Sequence, residues 1–166
     1  MSELFAELVA LLRQEIERYR HLLVLVRRER GQIVKGELAG LADVVRKKEA
    51  LARELDALAQ SRDCLLGRVA AELGEPANSL TLARVALLAP AEAGIPLAAL
   101  LNEFRAVVGR LIAANDVNRT LLDRSLEFVR GSLELFHTVI TTNPTYDASG
   151  RIEIGESALV AVNQTV

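Results

Sequence analysis

Two histidines are the first residues to test for chemistry. Glu134 and His137 form an E-x-x-H pair, which sets a carboxylate and an imidazole on one face of a helix. A carboxylate-bridged two-metal site needs two such motifs and two further glutamates. This chain offers one, so a surface histidine explains the pair better and no metal is expected. His21 stands in a helical stretch as the phosphoryl-accepting histidine of a phosphotransfer domain would. Its next four residues are LLVL, without the usual lysine and glycine, and a boundary histidine beside Leu22 is the better reading. Cys64 is alone; it can close no internal disulfide, and zinc needs more ligands. A reducing cytosol fits a single thiol. The sequence has no phosphate-cradling glycine loop and no nucleophile, base and acid that it can bring together. Neither enzymatic activity nor a cofactor is expected.

The charges point away from polyanions. The formal net charge is −2, so no global field draws nucleic acid or an anionic membrane. The basic runs VRRER (26–30) and VRKKE (45–49) are interleaved with acids, as on a solvated helix flank. A nucleic-acid surface would also want aromatic platforms, and the chain has no Trp, two Tyr and four Phe. The start, MSELFAELVALLRQEIERYR, is amphipathic and acidic from the third residue, unlike a signal peptide. No uncharged apolar run approaches the ~18 residues of a membrane span. A cytoplasmic protein without stable membrane insertion is expected.

The elements that position these residues are long helices. Leu, Ala, Val, Glu and Arg dominate, and none of Pro76, Pro90, Pro96 and Pro144 falls inside a long periodic stretch. The spacing predicts a first helix over 2–34, with Ser2 as N-cap and a broad stripe through Leu4, Leu8, Leu11, Leu12, Tyr19, Leu22, Leu23, Val26 and Ile33. Gly36 supplies a turn. A second helix is predicted over 38–73, ended by Gly74 and Pro76. Its seam alternates steps of three and four: Leu38, Leu41, Val45, Lys48, Ala52, Leu55, Ala59, Arg62, Leu66, Val69, Leu73. A connector carries a short helix over 79–88, capped by Ser79.

The last helix is predicted over 96–140, opening on Pro96. Some 45 residues make a rod of roughly 65–70 Å. Its seam runs Leu97, Leu101, Phe104, Val108, Leu111, Asn115, Asn118, Leu122, Ser125, Val129, Ser132, Phe136, Val139, beside a second row of Leu100, Val107, Ala114, Leu121, Phe128 and Leu135. Gly109 and Gly131 inside it cost about 1 kcal/mol each relative to alanine. The expected fold is all-α: an elongated antiparallel three-helix bundle, or coiled coil, over 1–141, with a short connector helix and a mobile C-terminal tail over 142–166. Within the tail only 151–154 shows brief alternation.

Lys48, Arg62, Asn115, Asn118, Ser125 and Ser132 interrupt these ladders. A polar seam residue disfavours wrong registers and wrong oligomers at some cost in stability. The alternative is that this stretch lines a groove in which the amides meet a docked helix.

Taken in order, EIERYRHLL, RRERGQIVKGEL, KKEAL, RDCLL, NDVNRTLLDRSLEFVRGSLELF and TYDASG resemble the flagellar export chaperones of the FlgN family over about residues 3–150. The Asn-x-x-Asn segment with its leucine run is the most specific part. The resemblance implies a small cytosolic helical chaperone without catalysis. Such a protein binds the C-terminal helical segments of hook-filament junction proteins, prevents their early assembly and hands them to the flagellar type III export apparatus. An elongated bundle with spare apolar surface can take a disordered amphipathic segment as an extra helix.

The expected client-binding residues are Leu121, Leu122, Phe128, Val129, Leu133, Phe136 and Ile140, because the double apolar row exceeds what two neighbours in a three-helix bundle need. Asn115 and Asn118 match the family's pair and are expected to fix register at the bundle's centre. Tyr146, in TYDASG, is the expected docking residue for the export apparatus, against simple packing on the helix end. The segment after Gly150 is longer and more apolar than the family pattern, and could cover the client groove or pair with another copy, giving a homodimer when no client is bound. The alternative function is a self-associating coiled-coil scaffold or adaptor with no client.

Overall fold

In a computed structural model the chain is all-α: α1 (Ser2–Lys35), α2 (Leu38–Leu73), α3 (Leu82–Leu88) and α4 (Ala91–Thr142). A two-residue rung, β1 (Thr145–Tyr146) with β2 (Ile152–Glu153), comes after them. The structure describes residues 2–76, 80–142, 145–146 and 152–153, and side chains over 3–76 and 80–138.

The α1–α2 turn is local chemistry. Gly36 adopts φ 69°, where a Cβ would be strained. This lets the Gly36 amide reach the Ile33 carbonyl (3.1 Å) and the Glu37 amide the Gln32 carbonyl (3.1 Å), the paired bonds of a Schellman motif. α2 ends in the same way: the Glu75 amide donates to the Ala70 carbonyl at 3.0 Å, past Gly74. Both expected stops therefore stand where glycine permits them.

Two helix starts differ from expectation. The connector helix is capped by Thr81, whose hydroxyl accepts from the Arg84 amide at 3.3 Å; the expected cap, Ser79, lies outside the described residues. The last helix begins at Ala91, five residues before Pro96. Its first amides, Ala93 and Gly94, both donate to the Pro90 carbonyl at 2.8 Å, so Pro96 sits inside the helix. A Cβ at Gly94 would meet the Ala86 carbonyl oxygen at 2.6 Å, so α3 and α4 can approach this closely only at glycine. The chain forms two compact units, Met1–Leu121 and Leu122–Val166. The boundary between these units lies within α4.

In the first unit α1 packs against both α2 and α4. One core cluster joins Phe5, Leu8 and Leu12 of α1, Val69 and Ala70 of α2, Val85 of α3 and Leu97 of α4. Burying each large aliphatic side chain here contributes about 1.5–3 kcal/mol. Further along, Leu23 and Val26 pack on Leu111, while Leu25 packs on Val44 and Leu51. Tyr19 meets Phe104 edge to face, centroids 5.3 Å apart. α1 thus carries two apolar stripes, because it has two neighbours.

The seam predicted for α2 drifts at its start. Leu38, Val45 and Ala52 are exposed, and Val44 and Leu51 are buried instead; from Leu55, which is buried, the expected seam holds. In the tail, the described residues form an antiparallel pair with Thr145 opposite Glu153 and Tyr146 opposite Ile152. Ile152 and Glu153, the described part of the short alternation, thus fall on a strand.

Candidate functional site: an uncovered face of α4

Two classes of position separate once the partners are known. The first class is internal. Arg62 Nη1 donates to both carboxylate oxygens of Glu15, at 2.7 and 2.9 Å. Lys48 Nζ donates to Glu29 Oε2 at 2.7 Å. Asn118 Nδ2 donates to the same oxygen at 2.9 Å and to the Val26 carbonyl at 2.8 Å. Both acceptors lack hydrogens, which fixes the orientation of the amide. A single carboxylate therefore ties α2, α1 and α4 together.

Glu15 and Glu29 lie two heptads apart on α1, as do Lys48 and Arg62 on α2. In an antiparallel pair that matched spacing builds two rungs. A register slip would leave a buried carboxylate without its cation, at a cost of about 3–5 kcal/mol. Burial pushes the Glu15 carboxyl above its ordinary value, and the Arg62 guanidinium opposes the shift. Burial likewise raises the Tyr19 phenol, with the nearby Glu15 charge adding to it. At the surface, Arg20 bridges Glu17 and Glu103.

Asn115 requires a correction. Its side chain is exposed, whereas Asn118 is 3 % exposed. From Leu111 the buried seam steps to Ala114, a member of the second row predicted from sequence, and then returns to Asn118 of the first. A helix turns about 100° per residue, so Asn115 lies off the contact line once Ala114 occupies it.

The second class of position lies further along α4. From Leu122 to Thr138 every described side chain is exposed except Ser132, which is half-buried and donates its hydroxyl to the Phe128 carbonyl at 2.8 Å. Phe128 is 76 % exposed, Phe136 65 %, Leu133 62 % and Val129 52 %. Leu122 is at the margin of exposure, and Leu121, the last residue of the first unit, is half-buried. The Ile140 and Tyr146 side chains lie outside the described residues.

Leu126 and Leu135, 55 % and 66 % exposed, belong to the same surface. Steps of four and three through Leu122, Leu126, Val129, Leu133 and Phe136 make one row, a period visible in the sequence and hidden by tracing the 118–122–125 line. These residues form one exposed apolar row rather than a scatter of single residues, the kind of patch that makes a candidate docking surface.

The positions considered for chemistry lie at the surface. Glu134 and His137 are both exposed. Among the described residues no three metal-ligating side chains cluster. His21 is exposed and lines a shallow α1–α2 groove with Arg18, Arg28 and Lys47. No described helix is long and apolar enough to cross a membrane.

Comparison with known proteins gives one positive finding. The family model described as FlgN protein matches residues 1–154. Neither a curated protein nor a solved structure matches the chain.

Proposed function

Because the chain belongs to the FlgN family, we propose that it escorts the C-terminal helical segments of hook-filament junction proteins, holding them on the apolar face of α4. The general role, a flagellar export chaperone, comes from family membership. The finer reading rests on one observation: seven large apolar residues between Leu122 and Phe136 are exposed on a continuous helix. Before assembly, a junction-protein terminus is an amphipathic segment lacking its partners. Laying its apolar side on this row removes both surfaces from water at about 25 cal/mol per Å². Shielded in this way, the segment does not assemble early and is handed to the export apparatus. The chain acts by binding in the cytoplasm, without catalysis or cofactor.

The proposed contact set is Leu121, Leu122, Phe128, Val129, Leu133, Phe136 and Ile140, extended by Leu126 and Leu135. Asn118 sets helix register, and Asn115, on the surface, is free to meet client. Tyr146 is the proposed contact with the export apparatus. Its replacement by Ala should lower export while leaving client affinity unchanged in a titration. Calorimetry with a synthetic junction-protein C-terminal segment tests the main reading. Leu122→Asp or Phe128→Asp should abolish one-to-one binding while circular dichroism shows unchanged helicity. Normal binding by both variants would move the client elsewhere.

The same face favours a second reading, in which another copy of the chain covers it and no client exists. Sedimentation over a range of concentrations separates the two. A monomer that binds the segment supports the escort; a dimer that ignores it supports the scaffold.

A further inference from the structure

The uncovered surface of α4 is too wide for one helix. At about 100° per residue, the residues from Leu122 to Phe136 fall on a definite arc. Leu122, Leu126, Val129, Leu133 and Phe136 fall within about 80° of one another and make one stripe. Phe128 and Leu135 lie about 80–100° beyond Phe136 and make a second, with Ser125 and Ser132 between the two. The arc from Leu135 to Leu126 covers roughly 180°, whereas a helix meeting one neighbour needs a much narrower seam. α1 supplies the internal standard, since it carries two stripes and packs two helices, α2 and α4.

The edges of the arc carry a sign. Arg124 adjoins the Phe128 side and Arg130 the Leu126 side, each about 20–40° beyond the last apolar residue. Asp123, Glu127 and Glu134 fall on the opposite face. Arg124 and Arg130 are exposed, and neither forms an ion pair among the described residues. Arginines flanking an apolar seam select carboxylates on the flanks of the partner helix.

Resting on the escort reading above, we propose that the α4 face is built for a helical hairpin: two amphipathic segments of one client, side by side, with carboxylates along their outer flanks. One segment covers the stripe from Leu122 to Phe136 that contains Leu126 and Leu133, and the other covers the Phe128–Leu135 stripe. One arginine closes each outer edge.

The test uses the full chain and two synthetic probes from a junction-protein C-terminus, one spanning its last predicted helix and one spanning the last two. The two-helix probe should bind at least 100-fold more tightly than the one-helix probe, at one-to-one stoichiometry. Leu133→Asp and Leu135→Asp should each weaken the two-helix probe more than 10-fold. Arg124→Glu and Arg130→Glu should each weaken it about 10-fold at low salt, an effect that shrinks as salt rises. Equal affinity of the two probes, or normal binding by Leu135→Asp while Leu133→Asp fails, overturns the hairpin and leaves the escort standing. No effect of any of the four substitutions on a probe that does bind overturns both.

Discussion

α4 is two helices in one by burial. Over 97–118 it buries Leu97, Val107, Leu111 and Asn118; over 122–138 it buries no described residue. The two stretches are nearly alike in apolar spacing. Each offers leucine, valine or phenylalanine at steps of three and four. The difference is the partner: the first stretch has α1 to cover it, and the second presents its rows to solvent. Helical periodicity alone therefore does not tell whether an apolar face is covered within the chain.

That contrast can be broken by substitution. The largest effect is expected at the charge rung in the first unit. Arg62→Ala leaves Glu15 buried and unpaired and should lower unfolding free energy by about 3–5 kcal/mol in urea. Replacing both partners with leucine should be close to neutral, which would identify the rung as a register device rather than a source of stability. Next comes ordinary packing. Leu12→Ala, at a 1 % exposed position, should cost about 2–5 kcal/mol, whereas Phe128→Ala should change stability by no more than about 0.5 kcal/mol. Equal costs at the two sites would erase the distinction between the stretches.

Within α4 the two asparagines sharpen the boundary. Asn118→Ala leaves the buried Glu29 oxygen and Val26 carbonyl short of a donor and should cost about 1–3 kcal/mol. Asn115→Ala, at an exposed site, should stay within about 0.5 kcal/mol.

The smallest effect is a pH slope. The Glu15 carboxyl is raised in the folded state above its ordinary 4.5, so the native protein binds its proton more readily than the unfolded chain. The stability this contributes is full below pH 4.5 and is lost as pH rises through the folded value. Glu15→Gln should flatten that segment of the stability–pH curve. A slope unchanged in the variant would assign it to another group.

Much of the fold is legible in the sequence because it is local. Glycines at 36 and 74 stop helices through left-handed turns, and their positions alone mark both ends. The α4 start is not, because Pro96 reads as a first-turn residue, while the Pro90 carbonyl, which receives two amides, carries no sequence signal. Lys48 and Arg62 stand out as polar breaks in a seam. Their partners do not, since Glu15 and Glu29 look like solvated residues on a charged helix until α2 lies beside them. Asn115 is misplaced by periodicity because steps of four and of three from Leu111 are both helical, and only packing against α1 selects Ala114. The uncovered face is visible as a surplus row, but the chain alone does not say which rows α1 covers.

Backbone hydrogen exchange, monitored on the full chain with and without a junction-protein C-terminal segment, bears most directly on the proposed docking surface. Exchange along 122–138 should slow markedly on adding the segment, with the first unit nearly unchanged. Slowing confined to the α1–α2 groove or the α3 corner, with 122–138 exchanging as before, would contradict the placement of the client on α4.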